Sequence, residues 1–344
     1  EFPHEIDGFR RLLSKIKEFD DTRLDYPYRS TRKTLRELLD DPVLIDMLLC
    51  PVMYYGNAEQ HDMDFTQFVI MFKSLFFEGF ARPRGGVRMI ITALVRKFLA
   101  CGGELKMRCG VESLNVRNGR VTSLALESGE TLTANIILSS AGYFETMRLC
   151  GDSFDKSSAL DAGRVSFVES IAVLDELPAK LGHDATIVFF NDADTFAYAK
   201  PDEPVDLRSG VICCPSNYER HDDMKEGLFR LTWLANYDRW MNLDEEAYVA
   251  AKRACRESIA ERASEYIPGF HDRVVFTDLF TPRTIRKYTG HINGAVYGAP
   301  RKIRGGRTRL ENLFICGTDQ GYLGIIGAML SGITMANLHV LSKT

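Results

Sequence analysis

The chain lacks the features that mark a nucleic-acid, zinc or membrane-spanning protein. Its 43 Lys/Arg against 47 Asp/Glu leave a formal net charge of -4, so there is no basic excess to build a phosphate-binding face. None of its eight cysteines forms a C-x-x-C, and no Cys/His cluster has the spacing of zinc ligands. Cysteines scattered through a long chain read as reduced thiols packed as small apolar residues. They suit a reducing compartment, and the expected localisation is cytoplasmic. No apolar run approaches the ~20 residues needed to span a bilayer. The start Glu1-Phe2-Pro3-His4 has no Met, no signal-peptide pattern and no early strand. It leads at once into an amphipathic segment, Ile6 to Ile16, and the expectation is a stretch cut from a larger protein.

What is present is globular composition: 344 residues, 45% apolar and 26% charged, enough to bury one large core or two ordinary ones. Phe9, Leu12, Leu13 and Ile16 recur at helical spacing, as do Leu35, Leu38 and Leu39 before Asp41-Pro42. Six phenylalanines between Phe65 and Phe80 predict one helix, apolar almost all round, as core or as the wall of a greasy cavity. Pro83-Arg84-Gly85-Gly86 precedes a helix with Ile91, Leu94, Val95, Phe98 and Leu99 on one stripe, ended by Gly102-Gly103.

Short strands follow over 104–108, 111–116 and 121–126, with Asn118-Gly119 as a hairpin turn. Ile136 to Gly142 reads as a buried strand ending in small residues, which allow close approach of a backbone or ligand. Beta-rich runs at 165–174, 186–190, 229–234 and 274–280 predict a sheet. Asn242-Leu243-Asp244-Glu245 reads as an Asn-capped helix start, with the helix running through Tyr266. The fold class is α/β, mixed with α+β, in two lobes.

The informative segment is Asn312 to Gly332. Leu313 to Cys316 reads as a buried strand, with Gly317-Thr318-Asp319 at its carboxyl end, where ligands gather in open α/β sheets. A helix then begins near Gly324-Ile325-Ile326-Gly327, with small residues that let its backbone sit tightly on a neighbour. Its free amides and positive dipole end favour electron density placed there. Asp319 could accept hydrogen bonds from the hydroxyls of a sugar-like chain. On spacing alone, a plain turn at Gly317 and a helix cap at Asp319 serve equally well.

The string Cys316 to Gly332 resembles the carboxy-terminal FAD segment of the phytoene desaturase, carotenoid isomerase and retinol saturase relatives, a branch of the amine-oxidase-like flavoproteins. The resemblance implies FAD as cofactor. Gly317 and Asp319, with Thr318 interposed, would meet its ribityl and pyrophosphate part, and Gly324, Ile325, Ile326 and Gly327 would lie under its isoalloxazine. Upstream, Pro83 to Gly86, Gly102-Gly103-Glu104 and Gly110-Val111-Glu112 are similar to the family's approach to its adenine-contacting strand, with the Val111 backbone at the adenine. Ile137 to Gly142 resembles the strand that returns to the cofactor. Tyr54-Tyr55-Gly56 and Gly290 to Gly298 also look like family features.

By this likeness residues 1–82 form a helical part of the substrate lobe and 83–150 part of the FAD lobe. Residues 151–281 would supply the substrate-binding sheet and helix, and 282–344 the C-terminal FAD segment. The family opens with a strand, a G-x-G-x-x-G turn and an acidic residue, and no such motif occurs in this sequence. The expectation is that the N-terminal Rossmann βαβ unit is missing and that this stretch alone holds FAD weakly and is inactive.

The implied activity is that of a desaturase, isomerase or saturase acting on a long apolar polyene such as a carotenoid or retinoid. Phe72, Trp233 and Tyr297 are candidates for an apolar substrate wall, with core packing as the alternative. His291 is the best general-base candidate, against a packed, hydrogen-bonded histidine. Cys316 is either a covalent flavin attachment point or a buried strand cysteine. The run Arg301 to Arg307 reads as a solvated loop or as a peripheral contact with an anionic membrane. Two rivals are an amine-oxidase-like flavoenzyme and a non-catalytic prenyl-binding protein of the dissociation-inhibitor type.

Overall fold

A computed structural model describes residues 1–21, 23, 25–151, 162–218 and 226–341. The chain opens with a helical layer. In α1 (Ile6–Glu18), Leu12 and Ile16 are fully buried, as their four-residue spacing requires. Ser30 caps α2 (Thr31–Arg36) by accepting from the Lys33 amide. Asp41 caps α3 (Pro42–Gly56), accepting from the amides of Val43 and Leu44, with Pro42 in the first turn where its missing N–H costs nothing.

Asp64 caps α4 (Phe65–Phe72), in which Phe65, Phe68 and Phe72 are buried with successive ring centroids 5.9 and 5.5 Å apart. The expected single helix to Phe80 does not continue. A π-helical turn over Lys73–Glu78 buries nothing, and Phe76, Phe77 and Phe80 are exposed. The wider turn shifts the phase of the apolar stripe, so the later phenylalanines leave the core.

The next unit is looser. Helix α5 (Arg88–Ala100) has no buried residue at all. The strand expected over 104–108 is absent: nothing pairs with it among the described residues, and Met107 is 75% exposed. Strands β1 (Val111–Arg117), β2 (Arg120–Leu126) and β3 (Thr131–Leu132) form an antiparallel meander. Asn118 and Gly119 both take positive φ at its first turn, the geometry of a two-residue hairpin. Strand β4 (Ile137–Ser139) and the short α6 (Tyr143–Arg148) follow.

The centre of the molecule is a five-stranded antiparallel sheet of β5 (Ser166–Leu174), β6 (Ile187–Asn191), β7 (Val205–Cys213), β8 (Gly227–Ala235) and β9 (Val274–Phe280), in the order β6-β7-β8-β5-β9. Strand β7 escapes sequence reading because Asp206 to Gly210 is polar and carries a register shift against β8. Adjacent residues of one strand enter different cores, as the pleat dictates. Phe167, Val211 and Leu234 join α1, α3 and α4, while Val168, Ile212 and Trp233 join the opposite layer.

That layer holds α7 (Tyr237–Met241), α8 (Glu245–Ser264) and α9 (Phe270–Arg273). Helix α8 is capped by Asp244, which accepts from the Ala247 amide, rather than by Asn242. Asn242 is already used as the C-cap residue of α7. Helix α10 (Pro282–Thr289) follows β9, its Thr281 cap and Thr284 closing a reciprocal box.

The chain ends with β10 (Leu313–Ile315), paired in parallel with β4, then a 3-10 turn over Gly317–Gln320 and α11 (Gly324–His339). Buried Asn312 ties this end to the meander. Its side chain accepts from the Val121 N–H and donates to the Val121 carbonyl, both at 2.9 Å.

Candidate functional site

The carboxyl ends of the parallel pair β4 and β10 bring the predicted segments together. The Cys316 amide donates to the Ser139 carbonyl at 2.8 Å, so Gly142 and Gly317 leave the same edge of the pair. Gly142 has φ +99°, and a Cβ there would lie 2.3 Å from Glu145 Oε2 and 3.3 Å from His291, which confines the position to glycine. The Gly317 N–H donates to Ser331 Oγ at 2.7 Å, binding the turn to α11. Gly327 packs on the backbone of Tyr322, where a Cβ would approach to 2.8 Å.

The start of α11 is open. Leu323 carries no polar side chain and provides no cap, so the first-turn amides of Gly324, Ile325 and Ile326 have no intrahelical acceptor. Gly324, Ile325 and Ile326 are exposed, and nothing lies within 4 Å of where a Gly324 Cβ would be. Val111 opens β1, half-buried. Thr318 is half-buried beside Asp319.

Asp319 departs from expectation. It is buried, its Oδ2 accepts from the Tyr143 N–H at 2.7 Å, and its Oδ1 accepts from the Ala299 N–H at 2.8 Å. Lys302 Nζ stands 3.9 Å from Oδ1. The carboxylate therefore joins α6, residue 299 and the C-terminal turn, and its buried position leaves it little access to a ligand hydroxyl.

His291 lies 3.4 Å from Glu145 through Nδ1, and Glu145 Oε1 also accepts from the Ile292 N–H at 2.7 Å. The hydrogen bond to Glu145 raises the imidazole above its ordinary value, against the opposing effect of burial. Burial pushes Glu145 up, but the bonds from His291 and Ile292 outweigh it and hold the carboxyl below its usual range. His291 is thus a paired histidine locking residues 291 and 292 to α6. Burial raises the thiol of half-buried Cys316, which disfavours the nucleophilic thiolate.

The proposed substrate wall does not assemble. Phe72 and Trp233 lie in separate cores, on the α4 side and the α8 side of the sheet, each at most 2% exposed. Packing claimed both, since each occupies the apolar phase of its element. Tyr297 donates its hydroxyl to the Tyr54 carbonyl at 2.6 Å and packs edge-on to Phe167.

The large cavity lies elsewhere, between the helical layer and the C-terminal turn, with a volume of about 890 Å³. Gly56, Ala58 and Ile70 contribute apolar wall, while Gln320, Gly321 and Tyr322 reach it from the residues just before α11. Charged groups line it as well, including Asp64, Arg164, Arg301, Lys302 and Arg304. The 301–307 run is therefore not simply a solvated loop. Arg304 pairs with Asp64, and Lys302 Nζ donates to the Tyr297 carbonyl at 2.5 Å. Burial lowers Lys302 to about 8, with nearby Asp319 opposing. Sequence reading missed Gln67, Arg164 and Gln320 as cavity residues. No periodicity signals a wall drawn from segments so far apart. Among the described residues no helix is long and apolar enough to cross a membrane.

No family model matches the chain. Among curated proteins it is 22% identical over 321 residues to prolycopene isomerase of Daucus carota, covering 88% of this chain and 51% of that protein. It is 21% identical over 394 residues to prolycopene isomerase 1 of an Oncidium hybrid, covering 98% and 64%. A phytoene desaturase of Neurospora crassa matches at 24% over 173 residues, covering 41% and 29%. The chain thus spans from about half to just under two thirds of the length of the prolycopene isomerases it matches.

Among solved structures, an oxidoreductase from Methanosarcina mazei superposes with a TM-score of 0.63 at 14% identity, covering 97% of this chain and 73% of that one. Putrescine oxidase bound to putrescine gives 0.61 at 13%, covering 99% and 76%. These likenesses establish the fold. The chain is thus similar in sequence to prolycopene isomerases over most of its length and to a phytoene desaturase over part of it, and it shares the fold of the Methanosarcina oxidoreductase and of putrescine oxidase.

Proposed function

We propose that this chain is the substrate-facing and C-terminal part of an FAD-dependent oxidoreductase, a desaturase, isomerase or saturase acting on a long conjugated apolar chain. The observation that carries the reading is the uncapped start of α11 beside the carboxyl edge of β4 and β10. A helix start with free amides and no protein cap is suited to the electron-rich edge of a ring. Gly324 leaves open space there, and Gly327 lets the helix sit close behind Tyr322.

The residues present fit a flavin in part. The first-turn amides of Gly324, Ile325 and Ile326 are the groups that would hold the ring edge, and Gly142 and Gly317 keep side chains off the strand ends. Asp319 fits less well as the acceptor of ribityl hydroxyls, because it is 1% exposed and each of its oxygens already takes a backbone N–H. Its role is to fix the turn that aims the amides. When bound, FAD supplies the hydride or electron chemistry, and the protein supplies binding and orientation.

The stretch contains no G-x-G-x-x-G, so a pyrophosphate cradle must come from elsewhere for tight binding. Ile91, Leu94 and Phe98 of α5, Ile326, Leu330 and Ile333 of α11, and Leu138 of β4 are exposed apolar groups, suited to a further βαβ unit. The test is absorbance. The full-length natural protein should purify with a flavin spectrum, and the 344-residue stretch alone should take up added FAD only weakly and turn over no polyene. A colourless, well-folded full-length protein that quenches no FAD fluorescence would overturn the reading.

A further inference from the structure

Two arginines on the wall of the 890 Å³ cavity have no acidic partner among the described residues, and this bears on what occupies it. Each acidic residue of its wall is already engaged: Asp21 lies 3.2 Å from Lys73, Asp25 pairs with Arg23, Asp64 pairs with Arg304, and Glu59 accepts from the Tyr28 hydroxyl at 2.8 Å. Arg164 and Arg301, both exposed and both on the wall, have no ion pair or side-chain hydrogen bond among the described residues.

Their segments are pressed together. The Val296 N–H donates to the Val165 carbonyl at 3.1 Å, and Asn293 Nδ2 donates to the Gly163 carbonyl at 3.0 Å. A Cβ on Gly163 would fall 2.0 Å from the Gly298 carbonyl oxygen. The two arginines thus flank a seam that admits nothing larger than glycine at position 163.

A second observation points to a ligand. Gln320 is fully buried and lines the cavity. Its Nε2 donates to the Arg304 carbonyl at 2.6 Å, which fixes its orientation, yet its Oε1 has no partner. Gln67, also on the wall, has an unpartnered Nε2. Buried amide atoms are rarely left unmatched: the Gln67 Nε2–H can donate to a carboxylate, and Gln320 Oε1 can accept from a water or hydroxyl held beside it. Gly56, Ala58 and Ile70 add apolar surface to the lining, between polar neighbours such as Asn57 and Gln60.

We propose that the cavity takes an amphipathic acid, a long apolar chain ending in a carboxylate, with the carboxylate held by Arg164 and Arg301 and the chain running along Ile70 toward Tyr322. Guanidinium groups grip carboxylates through paired, charge-assisted hydrogen bonds. The chain then passes Gln320 to Tyr322, directly before the open start of α11. The inference rests on the proposed function, whose substrate class it narrows from any polyene to a carboxylated one.

The test uses cis-parinaric acid, a conjugated tetraene acid whose fluorescence rises in apolar surroundings, and its methyl ester. The acid should bind about ten-fold more tightly than the ester. Arg164→Gln with Arg301→Gln should abolish that preference, and Arg164→Lys with Arg301→Lys should keep most of it. Equal affinity for acid and ester, failure of both to bind, or a preference surviving in the Gln variant would each overturn the proposal. Displacement of the acid by equimolar inorganic phosphate would overturn the need for an apolar chain, and competitive displacement by FAD would assign the arginines to the cofactor instead. These titrations use the full-length protein, and FAD uptake is read separately in the same samples. Flavin binding without acid preference sinks this inference alone, and acid preference without flavin binding sinks the proposed function alone.

Discussion

Two parts of the molecule differ in how completely they satisfy themselves. The five-stranded sheet and α8 bury Trp233, Phe229, Leu231, Ile259 and Ala263 to 1% exposure or less. Helix α5 buries none of its residues, and α11 leaves Ile326, Leu330 and Ile333 in solvent. Exposed apolar residues at this density signal surface meant for contact rather than for water. The sheet body stabilises the chain, and the open face holds the start of α11 on which the proposed function rests.

Stability measurements should separate the two parts sharply. Trp233→Ala should cost about 3–5 kcal/mol of unfolding free energy measured by urea titration, since it empties a packed site between sheet and α8. The paired change Leu94→Ser and Phe98→Ser on α5 should change the same free energy by less than about 0.5 kcal/mol, while raising solubility. Equal losses would show that α5 is part of the core. Between these extremes lies the joint of the two parts. Asn312→Ala leaves the Val121 N–H and carbonyl unmatched in a buried place, and should cost about 2–4 kcal/mol.

The smallest effect is the pH response of His291 and Glu145. The raised His291 contributes stability fully below its unfolded pKa near 6.5, and this is lost as pH rises through the higher folded value. The lowered Glu145 contributes above about 4.5 and loses it as pH falls through the lower folded value. Their joint contribution should peak between those limits, at no more than about 1 kcal/mol for a pair at 3.4 Å. Thermal melts of His291→Asn should lose the decline seen in the parent above about pH 6.5.

The sheet body was the more legible part. The spans at 165–174, 229–234 and 274–280 follow from unbroken apolar or alternating runs, and the Asn118-Gly119 turn from its residue pair. Strand β7 was hidden because Asp206 to Gly210 interrupts its pattern with a register shift. The span at 104–108 looked like a strand because local pattern cannot say whether a neighbouring strand exists. At the site, the small residues around Gly317 and Gly324 located the turn and helix start. The fate of Asp319 was not legible, since its partners Tyr143 and Ala299 come from other segments. Arg301 stood out only as part of a charged run and Arg164 not at all, for the same reason: only the folded chain puts them on one wall.

The most direct measurement concerns the amides at the start of α11. Proline at Ile325 would delete one N–H from the first turn, where no intrahelical bond depends on it. Titrating FAD against the full-length protein and its Ile325→Pro variant, with the melting temperature as a check on folding, isolates that donor. The account predicts an unchanged melting temperature and FAD affinity weakened by about ten-fold or more. An affinity equal to the parent's in a folded variant would contradict it.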